Sequence, residues 1–572
     1  MRWTDKAVDN SIVSLLVEKL AISPFIARLL GINAICDPTE ASRFIAPRLA
    51  DLADPFDISG MDAAVNRIVQ AIDQSESILI LGDYDVDGIT ATAIMHHVLS
   101  ELGASPRFII PRRESEGYGL SIPVLERGLA VEVPKVLLAL DCGTNSSREI
   151  GFLTDKGVDV VIVDHHQLKG QLSAQAIFVN PHLEKDQGEP WRNLSAAGLA
   201  FKLTHALLKR LRAKGDVRAT EFPIKKQLDL VALGTVADLV PLRGENRIFA
   251  HRGLHQLSES ARPGIHELRE VSGLRPGAKL TSTDVAFKMA PRINAGGRLD
   301  EAELPANLLT SDNLAESRDL ARKLDKLNQE RREIERKISE EAHDQVEKHM
   351  DDCLGIVAHG DHWHQGVVGI VAGKLSRAHG KPAIVLGGDG EILKGSGRSI
   401  PGIDLVQTLK LCSSLLADED WGGHPAAVGL SLPRKCLTDF QFAFDEAVKK
   451  TCQDTLPEAT LEIACWIEQN SLGVPLLKEL EHLQPFGQEN PEPLLGLRNV
   501  NLAQAPRAVG QNHFRFSVHN GQELISGIAW NLGHRQPPHD QSLDLAIRLG
   551  WNDWNGVVSP QMTLVDWRLA EQ

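Results

Sequence analysis

Ser77-Ile78-Leu79-Ile80-Leu81-Gly82-Asp83-Tyr84-Asp85-Val86-Asp87-Gly88 joins an apolar run directly to three aspartates at alternate positions. The aliphatic run predicts a buried strand, and the glycine that closes the segment gives the backbone the freedom to turn. Aspartates at alternate positions bring like charges close together, so the turn needs a cation to be stable. The segment therefore predicts a strand that ends at a site for a divalent cation.

Two other interpretations of residues 83–88 are an ordinary acidic turn and a calcium-binding loop. An EF-hand loop that began at Asp83 would carry a glutamate at its twelfth position, but Ile94 stands there. A calcium loop is therefore disfavoured, and the choice lies between an acidic turn and a site for another oxygen-binding cation.

Two more apolar runs end in residues of the same chemical kind. Residues 136–140 lead into Asp141-Cys142-Gly143, and residues 160–163 lead into Asp164-His165-His166. Such runs alternate with helical stretches, which is typical of a parallel α/β sheet. Ligands of open parallel sheets bind beyond the carboxyl ends of the strands, so we expect the three polar clusters to meet in one crevice. On its own, the histidine pair is more typical of side chains satisfied by local hydrogen bonds.

Asp238 is a carboxylate within the apolar stretch Leu233-Gly234-Thr235-Val236-Ala237-Asp238-Leu239-Val240-Pro241. An unpaired charge there would be costly, so Asp238 needs a partner, and a metal ion would serve. Several carboxylates with one or two histidines suit Mn²⁺ or Mg²⁺, whereas zinc more often recruits cysteine or several histidines. Two such ions about 3.5–4 Å apart promote in-line phosphoryl displacement, so the sequence predicts hydrolysis of a phosphate ester or anhydride.

Glycine-rich segments that contain arginine or histidine have the character of phosphate-binding loops. They are Pro291-Arg292-Ile293-Asn294-Ala295-Gly296-Gly297-Arg298, Gly395-Ser396-Gly397-Arg398-Ser399 and Gly422-Gly423-His424-Pro425-Ala426-Ala427-Val428-Gly429. Glycine lets the backbone approach a phosphate, and arginine binds it through two hydrogen bonds. Taken singly, each segment is equally typical of a turn.

Tyr118 lies between two glycines and near Arg112 and Arg113. This setting suits a side chain that stacks on a nucleobase or contacts a phosphate, and the alternatives are core packing or a surface hairpin. We interpret the late tryptophans as mainly core residues of a β domain rather than as a stacking surface, with one or two of them exposed; they are Trp530, Trp551, Trp554 and Trp567.

The composition limits the classes of protein. The chain has 572 residues, of which 42% are hydrophobic and 24% charged, so about one domain per 150 residues predicts three or four soluble domains. The seven cysteines are scattered, which disfavours a disulfide framework and a cysteine zinc site. A formal net charge of −15 argues against a nucleic-acid partner unless one groove is lined with arginine and lysine. We see no membrane span or secretion signal and expect a cytoplasmic protein.

The chain is expected to consist of five parts. Residues 312–350 lack glycine and proline and repeat leucine and isoleucine at helical spacing, which predicts a long connecting helix. The expected parts are an N-terminal helical segment (1–55), a catalytic α/β domain (56–311), this helix (312–350), a smaller α/β domain (351–450) and an all-β domain (451–572).

With these motifs assembled, the chain resembles the DHH phosphoesterase superfamily and, within it, the exonucleases specific for single-stranded DNA. The segments that carry the resemblance are residues 82–88, 116–120, 141–143, the name-giving Asp164-His165-His166, 234–241, 292–298, 364–369, 397–399, 422–429 and 484–491. The resemblance implies a parallel-sheet DHH catalytic domain, a long helix, a DHH-associated domain and a C-terminal OB-fold that grips single strands.

The resemblance also implies an activity and its residues. It implies Mn²⁺- or Mg²⁺-dependent 5′ to 3′ degradation of single-stranded DNA to mononucleotides in recombination and repair, with a single-strand-binding protein and a helicase as candidate partners. The implied metal ligands are Asp83, Asp85, Asp87, Asp141, His165 and Asp238, with Asp141 as the bridge. The implied catalytic residues are His166, beside the scissile phosphate, together with Asp141 and His165. The implied phosphate-binding residues are Arg292, Asn294, Arg298, Ser396, Arg398 and His424.

One position departs from the family pattern. Many DHH phosphoesterases have a histidine four residues before the second aspartate, where this chain has Leu81, which cannot bind a metal. Two alternatives stay open on the sequence. One is a phosphoesterase for short oligoribonucleotides, cyclic dinucleotides or pyrophosphate, which the β domain disfavours; the other is a catalytically silent partner of a replication complex, which the retained Asp141, His165, His166 and Asp238 disfavour.

Overall fold

The computed structural model describes residues 2–113, 115–184, 188–299, 301–350, 352–417, 421–554 and 556–570. The chain divides into two units, which are described separately. The larger unit comprises residues 3–290, 306–318 and 460–572, and the smaller unit comprises residues 1–2, 291–305 and 319–459.

The chain starts with a short strand and three helices, β1 (Arg2–Asp5), α1 (Asn10–Leu20), α2 (Pro24–Ile32) and α3 (Pro38–Ile45). The side chains of Asp9, Ser23 and Asp37 accept hydrogen bonds from backbone N–H groups in the first turns, which fixes where the helices begin. Their buried faces, which include Leu30 and Phe44, belong to the same hydrophobic cluster as the strands near residues 495–564.

A parallel sheet forms the centre of the larger unit. Its elements are α4 (Met61–Asp73), β2 (Ile78–Gly82), α5 (Val86–Glu101), β3 (Arg107–Ile109), α6 (Ile122–Val131), β4 (Val136–Leu140), α7 (Ser147–Thr154), β5 (Asp159–Val163) and β6 (Ala176–Val179). The strand order is β3-β2-β4-β5-β6, and all neighbours are parallel. The predicted α/β class is therefore confirmed.

A helical layer follows the sheet along the chain. It consists of α8 (Ala196–Ala213), α9 (Val217–Glu221), α10 (Leu228–Ala237), α11 (Gly244–Ser258), α12 (Pro263–Val271), α13 (Ser282–Asp284), a π-helical turn (Val285–Met289), α14 (Ala290–Arg298) and α15 (Glu303–Thr310). Helix α10 is buried along nearly its whole length, because it is apolar on all faces and packs against α5, α8 and α11.

The long helix α16 (Leu314–His349) confirms the predicted connecting helix. It precedes β7 (Ile356–Gly360), α17 (Val368–His379), β8 (Ala383–Gly387), β9 (Ile392–Arg398), α18 (Leu405–Lys410), β10 (Trp421–His424), β11 (Ala427–Pro433) and α19 (Leu437–Cys452). The sheet order is β10-β11-β9-β8-β7. Successive residues of β8 enter two different cores, Ile384 one and Val385 the other, because side chains of a strand alternate between faces. Across the described ranges, each helix is too short or too polar to cross a membrane.

The C-terminal part is a β domain, as predicted. It consists of β12 (Thr460–Ile463), β13 (Cys465–Ile467), α20 (Val474–Glu481), β14 (Leu495–Val500), β15 (Arg507–Val509), β16 (His513–His519), β17 (Leu524–Ala529), β18 (Leu543–Trp554) and β19 (Val557–Leu569). Strand β12 pairs with β1, and the other strands form one sheet in the order β13-β14-β18-β19-β17-β16-β15.

Two of the late tryptophans lie at the surface, in line with the expectation that one or two of the four are exposed. Trp530 is 54% exposed and Trp551 is 38% exposed. The indole N–H of Trp551 donates to Glu481, and the Trp530 ring lies edge-on to His513, so each has a polar neighbour at the surface. Trp567 is half-buried, and the side chain of Trp554 lies outside the described residues.

Arg247 joins the helical layer to the N-terminal helices and the β domain. Its guanidinium is almost fully buried and donates to the carbonyl oxygens of Phe44, His482, Leu483 and Gln484 at 2.7–3.3 Å. It also lies 3.4 Å from the centroid of the Phe44 ring. Burial lowers the pKa of this guanidinium, because its charge is partly desolvated.

We expect Arg247→Ala to destabilise the larger unit by about 3 kcal/mol, because four buried carbonyl oxygens lose their donor and a cavity forms. Urea denaturation followed by tryptophan fluorescence measures this change. Arg48→Ala is the control, since Arg48 is exposed and pairs with the nearby Asp51, and it should leave the denaturation midpoint essentially unchanged. Equal midpoints for the two variants would contradict the assignment.

Candidate metal centre

The carboxyl ends of four strands bring polar residues to one edge of the parallel sheet. Asp83, Asp141, Asp164 and Asn180 each follow the last residue of their strand. The N–H groups of Asp83, Asp141 and Asp164 donate to Leu140, Val163 and Val179 of the neighbouring strand at 3.0–3.2 Å. The sheet ladder thus continues by one residue beyond each strand, which aligns these side chains along the edge.

Two of the aspartates from the opening motif lie with Asp141. Asp83, Asp85 and Asp141 each offer a carboxylate oxygen, and these oxygens lie within 4.8 Å of one another. One oxygen of Asp83 accepts from the backbone N–H of Gly119 at 3.1 Å. Asp85 caps helix α5, because its Oδ1 accepts from the N–H groups of Asp87 and Gly88.

Gly88 allows the motif to fold this tightly. A Cβ atom on this residue would lie 2.5 Å from the carbonyl oxygen of Asp83 and 2.6 Å from its nitrogen, both of which are backbone atoms that cannot move aside. The final glycine of the motif is therefore needed for close backbone approach.

The third aspartate of the motif belongs to a second group, with His165 and Asp238. Both carboxylate oxygens of Asp87 accept backbone N–H groups at the start of α8, from Ala196 at 2.6 Å and Ala197 at 2.9 Å. His165 Nε2 lies 3.6 Å from Asp238 and 3.9 Å from Asp87.

Asp141 and His165 join the two groups, since the Nε2 atom of His165 lies 3.1 Å from Asp141 Oδ1. Asp141 has a φ of 64°, in the left-handed region that aspartate tolerates better than most residues. Local backbone strain at a residue that touches both groups is typical of a functional position.

The six predicted metal ligands, five aspartates and one histidine, form a cluster with an excess of negative charge. Burial, with the neighbouring Asp85, raises the pKa of Asp83 and of Asp87 to about 7. Burial, with Asp87 and Asp85, raises the pKa of Asp238 to about 9, and the pKa of Asp141 is raised well above its usual value for the same reasons. Burial lowers the pKa of His165 to about 4, so its imidazole is neutral near pH 7, the form that binds metals.

This donor set fits divalent cations. Asp238 Oδ2 is buried and has no hydrogen-bond partner among the described residues, which is costly unless a cation binds there. Oxygen-rich ligand sets with one or two imidazoles suit Mn²⁺ or Mg²⁺ better than zinc. Backbone N–H groups hold Asp83, Asp85 and Asp87 from behind, as outer hydrogen bonds hold the ligands of metal sites.

His166 also offers a ligand atom within 4.8 Å of Asp141 and His165, but its surroundings differ from those of His165. Its Nδ1 atom donates to Asp164 Oδ1 at 2.7 Å, and its side chain is 59% exposed. The hydrogen bond to Asp164 raises the pKa of His166 to about 9, despite partial burial. His166 is therefore a cation near neutral pH and is accessible to a substrate.

Sequence reasoning missed the residues that orient His166. Asp164 also accepts from the N–H groups of His165 and Thr144, and Asn180 donates to the carbonyl oxygen of His166 at 2.8 Å. Burial opposes ionisation of Asp164, but the hydrogen bond and charge of His166, with the N–H of Thr144, hold its pKa well below the usual range. The position of Asn180, directly after the apolar run 176–179, was the signal that could have identified it.

Leu81, where many family members have a histidine, is completely buried in the sheet core. It packs with Leu79, Ala139 and Ile162, so its side chain takes no part in the polar edge. The carboxylate nearest in sequence to position 81 is that of Asp83, two residues later.

Three of the predicted phosphate-binding residues lie around the N-terminus of α17 in the smaller unit. Arg398 Nη1 donates to Ser396 Oγ at 2.9 Å, and a Cβ atom on Gly369 would contact both side chains at 3.0–3.3 Å. Arg298 donates to the carbonyl oxygen of Gly366 at 2.5 Å. A helix N-terminus with two arginines and a hydroxyl group is an arrangement that binds anions.

The other predicted phosphate-binding residues of this unit have different surroundings. Arg292 pairs with Asp325 of α16 at 2.9 Å. Asn294 Oδ1 is buried and has no hydrogen-bond partner within the described ranges. His424 is exposed at the end of β10, where it pairs with Ala427. Tyr118, in the larger unit, is 78% exposed, which removes core packing as an explanation.

Family models match three parts of the chain. The DHH family N-terminal domain matches residues 77–235, the DHHA1 domain matches residues 353–450, and the RecJ OB domain matches residues 463–566.

Similar proteins cover nearly the whole chain. The single-stranded-DNA-specific exonuclease RecJ of Bacillus subtilis (strain 168) is 36% identical over 100% of this chain and 71% of the relative. RecJ of Escherichia coli (strain K12) is 34% identical over 95% of each chain. The crystal structure of RecJ from Thermus thermophilus in complex with Mn²⁺ superposes with a TM-score of 0.83 at 28% identity, covering 100% of this chain and 80% of that one. Its complex with Mg²⁺ gives a TM-score of 0.78 at 28% identity, covering 100% of this chain and 79% of that one.

We expect Asp238→Asn to stabilise the metal-free protein at pH 8, raising its melting temperature by about 2–4 °C. The pKa of Asp238 is raised in the folded state, so its contribution to stability is present below about pH 4 and is lost as the pH rises through about 9. At pH 8 this carboxyl group is ionised in the unfolded chain and must take up a proton on folding, whereas an amide is neutral in both states. Melting curves in EDTA and in MnCl₂ measure the effect, and Mn²⁺ should stabilise the unaltered protein more than the variant.

Asp229→Asn is the matched control, because Asp229 is a buried carboxylate on helix α10, which ends just before Asp238, and it pairs with Arg262 at 2.9 Å. Its substitution should lower the melting temperature in EDTA. A fall for both variants would contradict the view that Asp238 lacks a partner without metal.

Proposed function

The chain belongs to the RecJ family of single-stranded-DNA-specific exonucleases, and we propose that it degrades single-stranded DNA from the 5′ end to mononucleotides by two-metal-ion hydrolysis. The observation that carries the proposal is the pair of ligand groups joined by Asp141 and His165, whose Oδ1 and Nε2 atoms lie 3.1 Å apart. This arrangement suits two cations that share a ligand.

The proposed metals are Mn²⁺ or Mg²⁺, which the crystal structures of the Thermus thermophilus protein contain. The proposed ligands are Asp83, Asp85, Asp87, Asp141, His165 and Asp238. When bound, a pair of such ions supplies the charge that activates water and stabilises the oxygens of an in-line phosphoryl displacement. The task of the six side chains is to hold the two positions at fixed distance and orientation.

His166 acts on the substrate rather than on the metals. Its Nδ1–H is engaged by Asp164, so the cationic ring offers Nε2–H to an oxygen of the scissile phosphate. The raised pKa keeps this proton in place near neutral pH, and Asp164 prevents the ring from turning. We assign His166 the stabilisation of charge that develops on the phosphate in the transition state.

The proposed 5′ to 3′ polarity relies on the residues proposed to hold phosphates, which are Arg292, Asn294, Arg298, Ser396, Arg398 and His424. A terminal phosphate carries more negative charge than an internal phosphodiester, and arginine and a helix N-terminus both favour the more highly charged anion. Arg298, Arg398 and Ser396 at the start of α17 are therefore proposed to bind the 5′-terminal phosphate.

The C-terminal β domain supports a polymeric substrate. OB-folds bind single strands through a groove and stacked bases without strong sequence preference. The proposal extends to a role in DNA recombination and repair in the cytoplasm, with a single-strand-binding protein and a helicase that supply single strands. The parts at 1–55, 56–311, 312–350, 351–450 and 451–572 stay our proposed division of the chain.

We expect Asp141→Ala to lower cleavage of single-stranded DNA by more than about a thousandfold, because the carboxylate proposed to bridge the two ligand groups is lost. Binding of single strands in EDTA, measured by fluorescence anisotropy, should persist. Asp155→Ala, a change at an exposed aspartate after α7, is the control and should retain full activity. Undiminished cleavage by Asp141→Ala would contradict the metal-site assignment.

Digestion of labelled nucleic acids tests substrate and polarity together. With Mn²⁺, a 5′-labelled single strand should release labelled mononucleotide from the first turnover, whereas a 3′-labelled strand should shorten gradually. EDTA should stop both reactions, and duplex DNA with blunt ends should resist. Faster turnover of RNA or of cyclic dinucleotides than of single-stranded DNA would contradict the proposed substrate.

A further inference from the structure

A short loop carries an exposed tyrosine to the edge of the metal centre. Tyr118 is 78% exposed, and it lies between Gly117 with a φ of 85° and Gly119 with a φ of 62°. The N–H of Gly119 donates to Asp83 Oδ1 at 3.1 Å, so the residue after the tyrosine is bonded directly to a proposed metal ligand. The backbone of the loop is thus fixed on the side that faces the site.

An ion pair fixes the other side of this loop. Arg127, on helix α6, binds the Glu116 carboxylate through two hydrogen bonds, from Nε at 2.5 Å and from Nη2 at 2.9 Å. The same Nη2 donates to the carbonyl oxygen of Ile110 at 2.8 Å. Glu116 also accepts from the N–H of Arg112, and its carbonyl oxygen accepts from the Ser121 hydroxyl.

These bonds attach both ends of the turn and leave the phenol ring in solvent. A bidentate arginine–carboxylate pair has a defined geometry, and left-handed glycines on both sides hold the tyrosine outward. An exposed aromatic ring on a rigid backbone provides stacking area at low entropic cost on binding. Arg112, exposed on the same loop, adds positive charge beside the ring.

We propose that Glu116 and Arg127 are positioning residues that hold Tyr118 as a stacking surface for a nucleobase next to the scissile phosphodiester. The inference rests on the proposed function, because a nucleobase reaches this loop only if a nucleic acid is the substrate. Stacking is insensitive to base identity, which suits an enzyme that must accept each nucleotide in turn.

The chain offers a matched control in a second ion pair. Arg67 Nη1 binds Glu76 at 2.7 Å, and the two side chains are 11% and 18% exposed, compared with 26% and 10% for Arg127 and Glu116. Glu76 precedes strand β2, so this pair lies at the amino end of the strands, opposite the metal centre. Breaking the Arg67–Glu76 pair therefore measures the general effect of losing an ion pair, which can be compared with the effect of breaking the Glu116–Arg127 pair.

The first measurement is steady-state digestion of a 5′-phosphorylated single strand with Mn²⁺. We expect Glu116→Gln to raise KM about tenfold and to leave kcat within about twofold, because a stacking contact is lost while the metal ligands stay in place. Tyr118→Ala, which alters an exposed side chain, should have the same effect. Glu76→Gln should leave both constants unchanged.

A second substrate separates positioning from a structural role. With abasic sites at the first three positions of the strand, Glu116→Gln and the unaltered protein should have equal KM values, since there is no base to stack. The double variant Glu116→Gln with Tyr118→Ala should match Tyr118→Ala alone, because Glu116 acts through the tyrosine. Additive effects, or an undiminished KM difference on the abasic strand, would overturn the proposal.

Binding in EDTA distinguishes this proposal from the proposed function. If the unaltered protein digests no single strand, the proposed exonuclease function fails, and anisotropy titrations with the two strands then decide the role of the loop. A loss of affinity in Glu116→Gln confined to the strand with bases supports the stacking surface. Equal affinities of the variant and the unaltered protein for that strand overturn it.

Discussion

Repulsion among buried carboxylates at one edge of a parallel sheet is the constraint on which the rest of this structure depends. Asp83, Asp87, Asp141 and Asp238 all have a raised pKa, because each is buried near the others. A fold tolerates such crowding only if the backbone holds the side chains firmly and if a cation balances their charge. The hydrogen bonds behind the ligands meet the first condition, and the oxygen of Asp238 that lacks a hydrogen-bond partner among the described residues is suited to the second.

The backbone meets the first condition with helix N-termini. Asp85 caps α5, and Asp87 accepts two N–H groups at the start of α8, so two helices direct their positive ends toward the acidic edge. Asp164 serves in a similar way, since it binds three backbone N–H groups and still orients His166. Hydrogen bonds therefore determine which of these side chains face the metal centre and which support it.

The site could be predicted from the sequence as far as local patterns reach. Apolar runs that end at Asp83, Asp141 and Asp164 indicated a shared sheet edge, because parallel strands align their carboxyl ends. The partition of the three motif aspartates was not predictable. Asp87 is held by the backbone N–H groups of Ala196 and Ala197, which lie 109 and 110 residues away in the sequence. Because almost every residue type has a backbone N–H, the sequence does not reveal this contact.

The packing of the N-terminal helices was not predictable either. An amphipathic helix shows that one of its faces is buried, but the pattern does not say against which segment. Leu30 and Phe44 pack in the same cluster as Phe514 and Leu564, so residues expected to form a separate helical segment contribute to the core of the β domain. The long helix, in contrast, was evident because its periodicity and lack of glycine and proline are local properties.

This shared core has a consequence for how the protein is made. Ser23 hydrogen-bonds Glu479, 456 residues later in the chain. A ribosome that adds about 5–20 residues per second needs on the order of 20 to 90 seconds to synthesise that interval. During this time the apolar faces of α1, α2 and α3 have no permanent cover. Biogenesis therefore includes a long interval in which a chaperone, or transient burial within the nascent chain, must shield the first-made helices from aggregation.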